Sequence, residues 1–179
     1  SVYAATHRNG KQVAIKVLHP EMTRLPEVVA RFEREAMAAA HIDHPNVAAA
    51  TDFGKLEDGS FFLVLEYIEG KPLRDVVAQG RLEPSRALRI LRQIASALSR
   101  THSLGIVHRD LKPENVFVAQ SKRLGSPFMI KVLDFGIAKL VDEARSTKTA
   151  AVGTPLWMAP EQTEASSDVL PASDVWAIG

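Results

Sequence analysis

The side chains best suited to chemistry fall in a few short strings. Lys16 ends the run Val13-Ala14-Ile15-Lys16, and Glu35 lies in an Ala-rich stretch. Asp110 and Asn115 sit five residues apart in His108-Arg109-Asp110-Leu111-Lys112-Pro113-Glu114-Asn115. Asp134 opens Asp134-Phe135-Gly136 directly after an apolar run, and Ala159-Pro160-Glu161 follows further on. By type the set offers carboxylates that can accept a proton, carboxylate and amide oxygens of the kind hard divalent cations prefer, and a lysine to answer negative charge. Singly, each has an ordinary reading: a strand-end lysine, a helix carboxylate, an Asp in a Pro-containing turn, an Asp-x-Gly turn after a strand. The chain has no cysteine, which excludes a thiol nucleophile, a disulfide scaffold and Cys-ligated zinc or iron–sulfur centres. That composition fits a reducing compartment, and the expected location is cytoplasmic, with tethering of the full-length protein to a membrane through segments outside this sequence left open.

These residues need elements to hold them. The chain has 179 residues, 46% hydrophobic and 24% charged, the balance of a folded globular chain. Lys and Arg number 22 against 21 Asp and Glu, a net charge of +1, so no nucleic-acid groove is expected. The longest apolar runs, 36–40 and 61–65, are too short for a membrane span or signal peptide within this sequence. Residues 1–5 and 12–18 are β-rich and flank Asn9-Gly10, a hairpin signal. A helix is expected from Pro26 to about residue 42, with Val28, Phe32 and Ala39 on one face and Glu35 on that same face. A carboxylate there calls for a cationic partner, because burying it alone costs several kcal/mol (roughly). Strands follow at about 48–55 and 61–68, with Glu57-Asp58-Gly59 as their turn.

Gly70-Lys71-Pro72 breaks the pattern, and beyond it helices dominate. A short helix is expected at 73–79 and a longer one at 84–103, with Leu88, Leu91, Ile94, Ala95 and Leu98 as its apolar face. Short strands at 116–119 and 129–133 flank a polar excursion, and residues 137–158 lack periodicity, as functional loops do. Repeats and low-complexity tracts are absent.

Taken together and in this order, the strings resemble a eukaryotic-type serine/threonine protein kinase domain, with the Ala-rich helix, Pro160-Glu161-Gln162 and the Thr147-to-Val152 stretch most similar to its bacterial branch. The resemblance covers essentially the whole chain. It implies an α+β, bilobal fold: a small antiparallel sheet lobe with one helix at 1–68 and the start of a mainly helical lobe at 69–179. It implies ATP and Mg²⁺ in the cleft and transfer of the γ-phosphoryl group to Ser/Thr hydroxyls of proteins, with self-association for autophosphorylation as a further partner.

Carried over residue by residue, Glu35 would pair with Lys16 and aim it at the α/β-phosphates. Asp110 would accept the hydroxyl proton, Lys112 would neutralise the transferring group, and Asn115 and Asp134 would hold Mg²⁺. Val2 and Ala14 would cover one face of the adenine and Phe117 the other, with Leu65 at the back and the Glu66 and Ile68 backbones on the adenine edge. Arg109 would pair with phosphate on Thr147 or Thr149, whereas Thr154 would be a structural threonine near Asp110. Asp174, in a stretch resembling the start of the large lobe's central helix, would brace the catalytic loop. Ser1-Val2 matches the last two positions of the family's Gly-x-Gly-x-x-Gly-x-Val loop, and both ends read as cuts within a longer domain. Two alternatives stay open: a pseudokinase scaffold, against which intact Lys16, Asp110, Asn115 and Asp134 speak, and a small-molecule phosphotransferase, against which Lys112 and the segment ending at Glu161 speak.

Overall fold

The computed structural model describes residues 1–18, 23–24, 26–121, 127–134, 155–163 and 169–179. Its first half is a sheet of β1 (Val2–Thr6), β2 (Gln12–Val17), β3 (Ala50–Lys55) and β4 (Phe61–Glu66), in the order β1-β2-β4-β3 with every pair antiparallel. The first hairpin closes through Asn9, whose Oδ1 accepts the Lys11 N–H at 3.0 Å, and Gly10, whose φ of 84° few other residues would adopt.

Helix α1 (Pro26–Ala40) lies on this sheet and buries Val28, Phe32 and Ala36, each 3% exposed or less. The expected third member, Ala39, is only half-buried. Ala36, four residues on from Phe32, takes that place on the side of the helix that meets β3. Phe32 meets the rings of Phe53 and Phe61 at 6.3 and 6.4 Å in tilted geometry, which with Leu18 and Leu63 completes the first core.

The second half is built on a sheet of β5 (Gly70–Pro72), β6 (Val116–Ala119) and β7 (Met129–Val132), again antiparallel. Strand β5 corrects the reading of Gly70-Lys71-Pro72 as a simple breaker. A Cβ at Gly70 would stand 2.6 Å from the Val118 carbonyl oxygen, so the glycine is there because two backbones nearly touch. Helix α2 (Leu73–Val77) follows at once, and then the long α3 (Pro84–Ser103), started by Pro84 in its first turn and by the Glu83 carboxylate, which accepts the Arg86 N–H at 3.1 Å.

The buried face of α3 is also a correction. Ile94 and Leu98 are core, but Leu88 and Leu91 are 58% and 42% exposed and Ala95 is exposed. Ile90, Ala97 and Thr101 complete the true stripe, which packs on β7 around Ile130 and Val132. Both rows of α3 have helical spacing, and only the position of β7 chooses between them. A last helix, α4 (Pro171–Trp176), carries buried Ser173 and Asp174.

Among the described residues, two backbone connections join the sheets. One joint is the chain itself from β4 into β5. The other is the segment between α1 and β3: Val132 N–H donates to the Asn46 carbonyl at 2.8 Å, and Ala48 N–H donates to the Val132 carbonyl at 3.0 Å. Asn46 is held in turn by its side-chain amide, which donates to the Ile130 carbonyl at 2.8 Å and to Gln93 Oε1 at 2.9 Å. Ile42 and Val47 therefore belong to the second core although they precede β3 in sequence.

Candidate active site

Asp110 is placed by an unusual backbone. Arg109 has a φ of 67°, and the Asp110 N–H donates to the His108 carbonyl at 2.9 Å, the three-residue geometry of a γ-turn with positive φ at its centre. A non-glycine residue there stores strain, so the surroundings must impose it. Asp174 does much of that. It is 1% exposed, and its carboxylate accepts the His108 N–H at 2.8 Å and the Arg109 N–H at 2.9 Å on separate oxygens. His102 reaches the same carboxylate with Nε2 at 2.7 Å. His108 is fully buried, and its Nε2 donates to the Leu133 carbonyl at 2.7 Å while Nδ1 faces the Asp110 N–H at 3.3 Å. Burial pushes its imidazole below the ordinary value, outweighing the nearby Asp174 charge, so the ring is neutral with its proton on Nε2.

From that turn the other groups follow. The Asn115 Nδ2 donates to the Asp110 carbonyl at 2.8 Å and to Asp110 Oδ2 at 3.0 Å. Lys112 Nζ meets the same Oδ2 at 2.8 Å. With Oδ2 so engaged, Asp110 Oδ1 and Asn115 Oδ1 make no hydrogen bond with a described residue; by type the first could accept a proton and the second could face a cation. Residue 133 ties in the last member. Its N–H donates to the Asn115 carbonyl at 2.9 Å and its own carbonyl takes His108, so Asp134 starts directly beside Asn115. Asp134 adopts a φ of 57° as the chain leaves β7, a conformation Asp tolerates better than most residues. Its Oδ1 pairs with Lys16 Nζ at 2.8 Å, which brings β2 and β7 together across the cleft.

The strand registers assemble the rest. Val2 opposes Lys16, and Ala14 opposes Leu65, so Val2, Ala14, Lys16 and Leu65 share one face of the first sheet. Phe117 opposes Lys131 on the second sheet and lies on the face from which Lys131 reaches Glu66, at 2.7 Å. The Glu66 N–H is already committed to the Ala49 carbonyl at 2.8 Å, so this residue could offer a ligand only its carbonyl. Glu35 lies within α1, but its side chain is outside the described residues, as are Phe135, Gly136, Thr147, Thr149 and Thr154. Arg109 makes no ion pair with a described residue, and its carbonyl accepts from Gln162 Nε2 at 2.7 Å.

The contacts of three residues here went unseen in the sequence. His102 is the i+12 residue of the stripe begun at Ile90 and had a helical signal only. Lys131 hid in an apolar strand, and Gln162 in a three-residue ending. Their partners are 72, 65 and 53 positions away in the chain, a distance no local pattern spans.

Comparison with known proteins gives a consistent answer. The protein kinase domain profile matches residues 1–179. The chain is 42% identical over 175 residues to the serine/threonine-protein kinase pkn3 of Myxococcus xanthus, covering 94% of this chain and 31% of that protein. It is 40% identical over 182 residues to the serine/threonine-protein kinase PknA of Mycobacterium tuberculosis, covering 98% of this chain and 41% of that one. The crystallised PknI kinase domain of Mycobacterium tuberculosis superposes with a TM-score of 0.75 at 28% identity, over 99% of this chain and 64% of that chain. A crystal structure of Rad53 in complex with AMP-PNP matches with the same TM-score, 0.75, at 28% identity, over 99% of this chain and 42% of that one. The chain thus spans less than half the length of the two curated relatives named.

Proposed function

Because the chain belongs to the protein kinase domain family, we propose that it carries the nucleotide site and catalytic loop of a serine/threonine protein kinase that moves the γ-phosphoryl group of ATP to protein hydroxyls. The observation that carries this reading is the joint commitment of Asp110 Oδ2 to Asn115 and Lys112, which presents one carboxylate oxygen to an acceptor and one amide oxygen to a cation.

Magnesium fits the donor set. Asn115 Oδ1 and the Asp134 carboxylate are hard oxygen donors, and no cluster of three or more His, Cys, Asp or Glu occurs among the described residues. Two protein donors suit an ion that completes its octahedron with phosphate oxygens and water. When bound, Mg²⁺ supplies neutralisation of the phosphate charge. The chain's own groups do the rest. Lys16, held at Asp134 and flanked by Ala14, is in reach of phosphates lying under the first sheet. Val2, Ala14 and Leu65 offer an apolar face to the adenine ring and Phe117 the opposing one, while the Glu66 carbonyl and the Ile68 backbone stand at its edge. Asp110 orients the attacking hydroxyl and takes its proton, and Lys112, beside it, offsets charge on the transferring group. Catalysis of this kind rests on positioning and electrostatics. A Lys16 pairing with Glu35 in the active arrangement, and control by phosphate on Thr147 or Thr149 drawn to Arg109, belong to the same proposal.

ATP-dependent phosphorylation of a protein substrate by the full-length protein, set beside Asp110→Asn, tests it. Loss of at least about a hundredfold in kcat is expected, the scale of a removed acid–base group. Equal incorporation in both proteins would overturn the reading.

A further inference from the structure

The γ-turn that aims Asp110 is gripped from a direction that the catalytic residues do not supply. The peptide between Arg109 and Asp110 has its N–H end turned onto the His108 carbonyl at 2.9 Å. Its carbonyl end accepts from Gln162 Nε2 at 2.7 Å. One peptide plane is therefore fixed at both ends, and the Arg109 N–H, the preceding peptide, is fixed separately by Asp174. Gln162 is itself oriented. Its Oε1 accepts the N–H of Ala159 at 3.1 Å, and Ala159 is 1% exposed, so the amide can present only its NH₂ end to Arg109. The turn that carries it closes on itself, with Thr163 Oγ1 donating to the Pro160 carbonyl at 2.6 Å and the Gln162 N–H to the Ala159 carbonyl at 2.9 Å.

Rotation of that peptide about the Arg109 Cα–C bond changes ψ of Arg109, and it would swing Asp110 away from Asn115 and Lys112. Asp174 does not resist this rotation, because it holds the preceding peptide and with it φ of Arg109, not ψ. The carbonyl of Arg109 is where resistance must be applied, and Gln162 is the group that applies it. We infer that Gln162 is a positioning residue for Asp110: its amide locks the 109–110 peptide and makes the geometry of the proton acceptor depend on how residues 159–163 are seated. The inference rests on the kinase reading and deepens it, since it identifies a link between the segment after Ala159 and the catalytic carboxylate.

Gln162→Glu isolates the effect in the full-length protein. It keeps an oxygen for the Ala159 N–H and replaces the donor facing Arg109 by an acceptor. Losing one buried hydrogen bond lets the rotated peptide compete, and kcat should fall about tenfold. The KM for ATP should stay within about twofold, because Val2, Ala14, Lys16, Leu65 and Phe117 lie on strands, outside the turn that Gln162 holds, and the melting temperature should shift by no more than a few degrees. Gln162→Met, of similar length and uncharged, should show the same split if the glutamate variant folds poorly. A lower melting temperature with unchanged kcat in both variants would mean a purely structural residue and would overturn the inference. Wild-type kcat in both would do the same. Asp110→Asn separates the two levels: if it is as active as wild type, the kinase reading itself fails, whereas an inactive Asp110→Asn beside a fully active Gln162→Glu sinks only the role of Gln162.

Discussion

Replacing Asp174 by asparagine removes a charge and one acceptor while leaving the shape of the side chain intact. The carboxylate is 1% exposed and takes the His108 N–H and His102 Nε2 on Oδ2 and the Arg109 N–H on Oδ1. The amide does best with its oxygen in the Oδ2 position, which keeps two of the three bonds. Its NH₂ group then faces the Arg109 N–H, donor against donor. The lost bond was one to a charged group, worth about 1.5–3 kcal/mol, and the two survivors drop to the neutral scale of about 1 kcal/mol each. A net destabilisation of about 3 kcal/mol follows, which for a domain of this size is a fall of roughly 6–12 °C in melting temperature. The function should suffer further, because Arg109 at φ 67° loses one of its restraints. Displacing a reacting group by an ångström costs about a hundredfold, so kcat should fall by at least that order while the KM for ATP changes little. Thermal unfolding and steady-state phosphoryl transfer on the full-length protein measure both. A variant within about 2 °C of wild type and with unchanged kcat would show that Asp174 does not hold the turn, and the account of the catalytic loop given above would be wrong.

Three further outcomes follow from the same geometry. His108 is fully buried and its imidazole lies below the ordinary 6.5, so the unfolded chain binds the extra proton first: its stability contribution is complete above about pH 6.5 and is lost as pH falls toward the lowered native value. Melting followed from pH 7.5 to 5.5 should show a slope approaching about 1.4 kcal/mol per pH unit below 6.5, and a flat profile there would contradict a neutral His108. Gly70→Ala should cost about 1–3 kcal/mol in chemical denaturation, because the added Cβ meets the Val118 carbonyl oxygen at 2.6 Å and neither strand can yield; no loss would mean that β5 does not pair as described. Lys131→Met and Glu66→Gln, taken singly and together, should couple by about 1 kcal/mol through their 2.7 Å contact, and additivity would show that the pair contributes nothing.

Where the sequence was informative, the signal was either local or a fixed string. The hairpin at Asn9-Gly10, the strands at 12–17 and 61–66, and the start of the long helix at Pro84 each depend on neighbours a few positions away, and each falls within two residues of the expected bounds. The site strings were legible for another reason: their order and spacing resemble one family closely, and the family holds. What local pattern could not supply was anything decided across the chain. The face of α3 was ambiguous because Leu88, Leu91 and Ala95 repeat as regularly as Ile90, Ile94 and Ala97, and only β7 breaks the tie. Gly70 looked like punctuation because the strand it touches lies 48 residues on. Lys131 and His102 entered no motif, and Gln162 entered one only as part of the Pro160-Glu161-Gln162 ending, with no sign that it reaches Arg109.

The double attachment between the sheets limits how the two halves can move. Residues 66–70 connect them covalently, and residues 46–48 connect them again through the backbone of Val132. Two pinned points define a line, so the inexpensive motion is a swing about it, as of a gate on two posts. Sliding or twisting one half over the other would first have to break the hydrogen bonds at Asn46 and Ala48. The swing moves the far side most, and there Lys16 meets Asp134 at 2.8 Å, so that contact acts as the latch. Whatever enters between them must part a lysine from an aspartate, and a polyanion carrying its own cation can satisfy both at once.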